Sequence, residues 1–120
     1  AFDSNSNKVV IAYQVYNGDG VAIVGTVSGT SISFGSEVSF NTGSGSSDST
    51  RHIAATFDTT NNKVVIVYKD VNNSNYGTAI VGTVSGTSIS FGSEAVFNSA
   101  TTNAMRHISF NSNNVFLNKV

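Results

Sequence analysis

AIVGTVSGTSISFGSE, residues Ala22 to Glu37, returns letter for letter as Ala79 to Glu94, so a chain of 120 residues carries one sixteen-residue segment twice. Self-similarity at a fixed period is the mark of an architecture made from one repeated supersecondary unit. Working outward, the likeness covers nearly the whole chain. FDSNSNKVVI from Phe2 to Ile11 matches FDTTNNKVVI from Phe57 to Ile66 at an offset of 55, and Arg51-His52-Ile53 matches Arg106-His107-Ile108 at the same offset. The quoted segment repeats at 57 because the polar loop after Tyr68 is two residues longer than the one after Tyr13. Loops vary in length while the apolar stretches do not, as expected when each copy is one structural unit.

Residue types and turn signals predict four strands per unit. In the second copy these are Arg51 to Phe57, Lys63 to Tyr68 (KVVIVY), Gly77 to Val84, and Ser88 to Phe91 running on to Phe97. Asp58-Thr59-Thr60-Asn61-Asn62 closes the first strand, a loop from Lys69 to Tyr76 follows the second, and Ser85-Gly86 makes a tight hairpin turn. Consecutive apolar residues in the second and third strands imply a sheet covered on both faces, whereas the Ser-Ile-Ser-Phe alternation of the fourth implies a rim. β-branched residues and Gly interrupt every candidate helix. Proline is absent, so the sheet edges need another form of protection.

The expected fold is therefore all-β: two tandem four-stranded antiparallel units resembling propeller blades, with a spare C-terminal hairpin. A single β-sandwich is the alternative. One repeat domain spans 1–120, with unit 1 at about 1–50, unit 2 at about 51–104 and the spare strand or hairpin at 105–120. Asn41 to Thr50, NTGSGSSDST, reads as a surface crossover loop between the units rather than a domain linker.

Composition narrows the function. Six basic and seven acidic residues give a net charge of -1, which offers nothing to nucleic acid or to an anionic membrane surface. Ser, Thr and Asn make up about two fifths of the chain while charged residues are 11%, against roughly 25% in ordinary domains. That balance suits an extracellular or cell- or virion-surface β-protein. There is no cysteine, hence no disulfide framework or thiolate metal site, and no apolar run approaches the roughly 18 residues of a membrane span. The first residue, Ala1, fits a processed secreted chain, an excised fragment or an expressed piece equally well.

KVVIVY and YGTAIVGTVSGTSISFGSE, with the turn FDTTNNK before them, resemble the tandem repeats of bacterial and phage surface or tail-fibre proteins with propeller-type blades. The resemblance covers nearly the whole chain. It implies a scaffold or adhesive role and brings no catalytic residues.

Two blades cannot close a ring, since propellers have four or more. The first unit begins at Ala1-Phe2-Asp3, late in a first strand, while Arg106, His107, Ile108 and Phe110 form a spare first strand, followed by a short one at Val115, Phe116 and Leu117. The surplus matches the deficit, so the expected assembly joins protomers by edge strands, as a three-chain ring or an open filament.

Candidate chemistry is thin. Arg51-His52 and Arg106-His107 hold the only two histidines at equivalent places, which a repeat demands in any case. No G-x-S-x-G turn is present. Asp3 and Asp58 open polar turns, where Asp caps its own backbone; Asp3-Ser4-Asn5-Ser6-Asn7 has alternate oxygen ligands but lacks the Gly and distant Glu of a calcium loop. No catalytic residue, metal or cofactor is expected. The alternative function is a carbohydrate-binding oligomeric lectin using Tyr16, Asn17 and Asp19 in one loop and Asn73, Asn75 and Tyr76 in the other, with an aromatic face beside amides and a carboxylate. The propeller lectins and sialidases that depend on Trp give no support, because this chain has none. Asn72-Asn73-Ser74 is the sole sequon, making Asn72 the possible glycosylation site. The expected partner is the protein itself, with surface glycans under the alternative.

Overall fold

In the computed structural model, which describes residues 1–43 and 49–111 together with the backbone of 114–119, the chain is built of antiparallel strands, with no helix among the described residues. The first sheet holds β1 (Phe2–Asp3), β2 (Lys8–Gln14), β3 (Gly20–Ser28), β4 (Ser31–Phe34) and β5 (Val38–Asn41). The second holds β6 (Thr50–Asp58), β7 (Lys63–Asp70), β8 (Tyr76–Ser85), β9 (Ser88–Phe91) and β10 (Ala95–Thr101). β11 (Met105–Asn111) and β12 (Asn114–Lys119) form a separate hairpin. Among the described residues the strands close neither a barrel nor a ring.

The expected fourth strand is two strands in each sheet. β4 and β5 both pair with β3, and β9 and β10 both pair with β8, so each sheet has five strands rather than four. The break falls at Gly35-Ser36-Glu37 and at Gly92-Ser93-Glu94, where the ladder is interrupted.

Turn chemistry sets the registers. Asp3 accepts hydrogen bonds from the backbone N–H groups of Asn5 and Ser6, and Asp58 accepts them from Thr60 and Asn61, so each carboxylate caps its own turn. Asn7 and Asn62 close these turns in the left-handed region at φ 54° and 55°. In the two-residue hairpin after Ser28 and after Ser85, Gly29 and Gly86 both take φ 60°, which a Cβ would disfavour.

Residues that face each other across a ladder share a sheet face, and neighbours along a strand alternate. Each sheet thus has two distinct faces. Val10, Ala12, Ala22, Val24 and Phe40 form the rear face of the first sheet, and it packs on Phe57, Val64, Ile66, Tyr68, Ile80 and Ile89, the front face of the second. Phe40 sits centrally, its ring 5.1 Å from Tyr68 and 5.8 Å edge-on from Phe91. The second sheet's rear face, with Ala54, Val65, Val67 and Ala79, receives Met105 and Ile108 from β11.

The second sheet is therefore covered on both sides, which is why KVVIVY is apolar at consecutive positions. The first sheet carries the same pattern but is covered only at its rear. Its front face leaves Phe2, Ile11, Val27, Ile32 and Phe34 open, so the expectation of cover on both faces fails for this unit.

Candidate functional site

The two loops singled out for sugars lie between β2 and β3 and between β7 and β8. Tyr16 is fully exposed, at 100%. Its polar neighbours are committed to the loop itself: Asn17 Nδ2 donates to Asp19 Oδ2, Asn17 Oδ1 accepts from the Asp19 N–H, and Asp19 Oδ1 accepts from the Gly43 N–H at 2.9 Å. In the other loop the Asn73 carbonyl accepts from the Tyr76 N–H, the Asn75 carbonyl accepts from the Thr102 N–H, and Asn75 takes φ 63°. Tyr76 is half-buried, and Asn72 is exposed on the turn. The arrangement builds two loops rather than converging their polar groups on one cleft.

A feature that sequence reading missed locks these loops to the strands beyond them. Asn41 Nδ2 donates to Thr50 Oγ1 at 2.9 Å, and Asn98 Nδ2 donates to Thr102 Oγ1 at 2.9 Å. The Thr50 N–H donates to Gly18 and the Thr102 N–H to Asn75, so each Thr ties a crossover to the neighbouring loop. Close approach needs Gly: a Cβ on Gly20 would strike Phe40 and Thr50, and one on Gly77 would strike Phe97 and Thr102. The shared Phe-Asn at 40–41 and 97–98 was the available signal, but the crossover differs in length between units and hid the matching Thr. Residues 44–48 of the crossover loop lie outside the described residues.

Glu37 and Glu94, repeat equivalents, behave differently. The Tyr13 hydroxyl donates to Glu37 Oε1 at 2.6 Å, and that bond, ahead of any burial, raises the phenol's pKa. The Tyr68 hydroxyl is buried without a hydrogen-bond partner among the described residues. Glu94 lies near enough for its charge to be felt but closes no bond of normal geometry, and burial, then that charge, push Tyr68 well above its ordinary 10.0.

Of the assembly strand, Arg106 and His107 are exposed, Ile108 is buried against the second sheet and Phe110 is half-buried. Val115, Phe116 and Leu117 pair by backbone with Phe110, Ser109 and Ile108 within the chain; their side chains lie outside the described residues. β6 packs against β1, which matches its end in sequence, and against β11, which matches its beginning, and an open groove of about 480 Å³ beside them is lined by Phe2, Ala55, Phe57, His107 and Phe110. The Arg-His pairs are not brought together: His52 sits in a bulge of β6 at φ 53°, exposed and away from that groove.

The first sheet also has an open edge. β1 reaches along β2 only to Val10, which exchanges backbone hydrogen bonds with Ala1 at 2.8 Å. Ile11, Ala12 and Tyr13 pair with β3 on one side and, among the described residues, with no strand on the other. Their counterparts Ile66 and Val67 pair with Ala55 and Ala54 of β6.

No family model, curated relative or solved structure matches the chain. The site is thus described by its own geometry: an open edge and an open apolar face on one sheet, with a short hairpin at the far side of the other. Among the described residues no group of three or more His, Cys, Asp or Glu could hold a metal ion.

Proposed function

We propose that the protein is a non-enzymatic structural subunit of an extracellular β-rich assembly, a fibre, filament or surface appendage, whose protomers join by completing each other's sheet edges. Its sheets are then blade-like repeats of propeller type, in keeping with the bacterial and phage surface proteins that the sequence resembles. The open edge of β2 carries this reading. At the repeat offset of 55, Phe110 corresponds to Ala55 and Ser109 to Ala54, so β11 of a second copy would set Phe110 opposite Ile11 and Ser109 opposite Ala12. Such a strand supplies partners for backbone N–H and C=O groups along an edge that otherwise templates non-specific pairing.

Light scattering over a range of concentrations tests it. The expected mass rises in multiples of 12.5 kDa, and Ser109→Pro, which removes a β11 N–H, lowers it. A folded monomer throughout rejects the proposal.

The exposure of Tyr16 favours one second reading, a sugar-binding oligomer that stacks a pyranose on this ring. A glycan array on which Tyr16→Ala loses all signal supports it; an array blank for the parent protein removes it.

A further inference from the structure

β6 and β11 match in sequence at Arg-His-Ile and then diverge, and the fold gives the divergence a meaning. At the repeat offset of 55, Ala54-Ala55 of β6 becomes Ser109-Phe110 of β11. Ala54 lies opposite Val67 and Ala55 opposite Ile66, on the rear and front faces of the second sheet. That front face is closed by the first sheet, since Ile66 is 0% exposed and Ala55 packs against the same cluster. A phenyl ring in place of Ala55 would overfill it. At the edge of β2 the surroundings are reversed. The front side is open, with Phe2 56% and Ile11 40% exposed, whereas the rear side looks onto β6 across a pocket of about 250 Å³ lined by Val10, Ala12, Ile53 and Ala55. Because this pocket must also take the incoming backbone, it leaves room only for a small side chain.

We propose that Ser109 and Phe110 are the specificity-determining pair by which the edge of β2 selects its strand from a second copy of this chain: Ser109 enters the confined rear side beside Ala12, and Phe110 lies on the open front side against Ile11 and Phe2. Ala1 and Phe2 match Thr56 and Phe57, so the incoming Phe110 falls two places before Phe2 along the same lane, and side chains two apart share a face. The inference rests on the strand reading above and adds to it what the edge accepts. β11 belongs to a two-stranded sheet with β12 and to neither larger sheet, so it is donated without opening either. The ring that anchors β11 at β2 also bars it from the enclosed edge position opposite Ile66. Attraction at one edge and exclusion at the other together direct the strand.

Light scattering on the full chain measures self-association, and urea denaturation at a concentration too low for association checks that each variant folds. Phe110→Ala should weaken association at least about tenfold. Ser109→Trp should abolish it, while Ser109→Ala, which matches the residue of β6, should leave it unchanged. Ile11→Ala combined with Phe110→Ala should weaken association by less than the product of the two separate effects, because the two side chains meet across copies, while their effects on folding stay additive. Where Ser109→Trp fails to fold, the Ile11 and Phe110 pair decides alone. Association lost in Ser109→Pro but kept in both Phe110→Ala and Ser109→Trp leaves the strand reading and removes this inference. Association kept in all three variants, or absent from the parent protein, removes the strand reading and this inference with it.

Discussion

SISF at Ser31–Phe34 and SISF at Ser88–Phe91 share sequence, hairpin and register, yet Ile32 is largely open and Ile89 is enclosed. The same holds for β2 and β7, where Ile11 is 40% exposed and Ile66 is 0%. Local pattern thus specifies a strand with two apolar faces, and only the neighbour on each face converts that pattern into stability. Burying a side chain of this size contributes roughly 1.5 to 3 kcal/mol, and the second sheet collects this on both sides. The first sheet collects it on one.

Truncating the same isoleucine in both units separates the two sheets most strongly. Ile66→Ala should cost about 3 kcal/mol, because the site is enclosed and a cavity adds to the lost transfer energy. Ile11→Ala should cost less than about 1 kcal/mol in the isolated chain. Urea denaturation of both variants at a concentration too low for association measures the difference. Equal costs would mean that the front face of the first sheet is covered in solution.

Ile89→Ala and Ile32→Ala repeat the experiment inside identical sixteen-residue surroundings, with about 2 kcal/mol expected for the first and less than about 1 for the second. Here concentration becomes informative. If a donated strand seats Phe110 against Ile11, the cost of Ile11→Ala should grow as protein concentration rises, since binding that requires the native fold stabilises it by mass action. The costs of Ile32→Ala and Ile89→Ala should hold steady.

Much of this architecture was legible from the chain. The turns of Asp3 and Asp58, the hairpins of Gly29 and Gly86 and the strands between them follow from residue types at short range. What sequence did not disclose depends on contacts between units. The pattern of β2 gave no sign that one of its faces would lack a neighbour, because the same letters serve in β7, which has both. The division of each fourth strand stayed hidden because Gly-Ser-Glu breaks the ladder without turning the chain away from the same partner strand. Of the candidate loops, the exposure of Tyr16 follows from its place in a polar turn, but the use of Asn17 and Asp19 within their own loop depends on Gly43 from a distant crossover.

At Tyr13 and Tyr68 the difference runs in the opposite direction, since here the buried copy is the one with the defect. Tyr68→Phe removes a buried hydroxyl that has no hydrogen-bond partner among the described residues and should stabilise the fold by about 1 kcal/mol. The sign with pH follows from its raised pKa: the unfolded chain ionises this phenol near 10.0 while the folded chain still holds the proton. Its contribution is therefore complete below that value and is lost as pH climbs toward the folded pKa. Thermal melts from neutral to strongly alkaline pH should show this alkaline loss shrink in Tyr68→Phe; an unchanged profile would assign it to other groups.

The smallest effect belongs to the turn at Asp58, where the exposed amide of Asn61 donates to Oδ2 at 2.7 Å and, ahead of the backbone donors, lowers the carboxyl's pKa. A lowered pKa means that the folded state favours the ionised form. The resulting stabilisation is present above the ordinary carboxylate value of 3.8 and fades as pH falls through the folded value. Asp58→Asn should then cost a little stability at neutral pH and nothing in strong acid, where the parent carboxyl is itself protonated. Carboxyl chemical shifts followed by NMR during acid titration measure the pKa directly, and a midpoint at or above the ordinary value would show that the turn is held by backbone geometry alone.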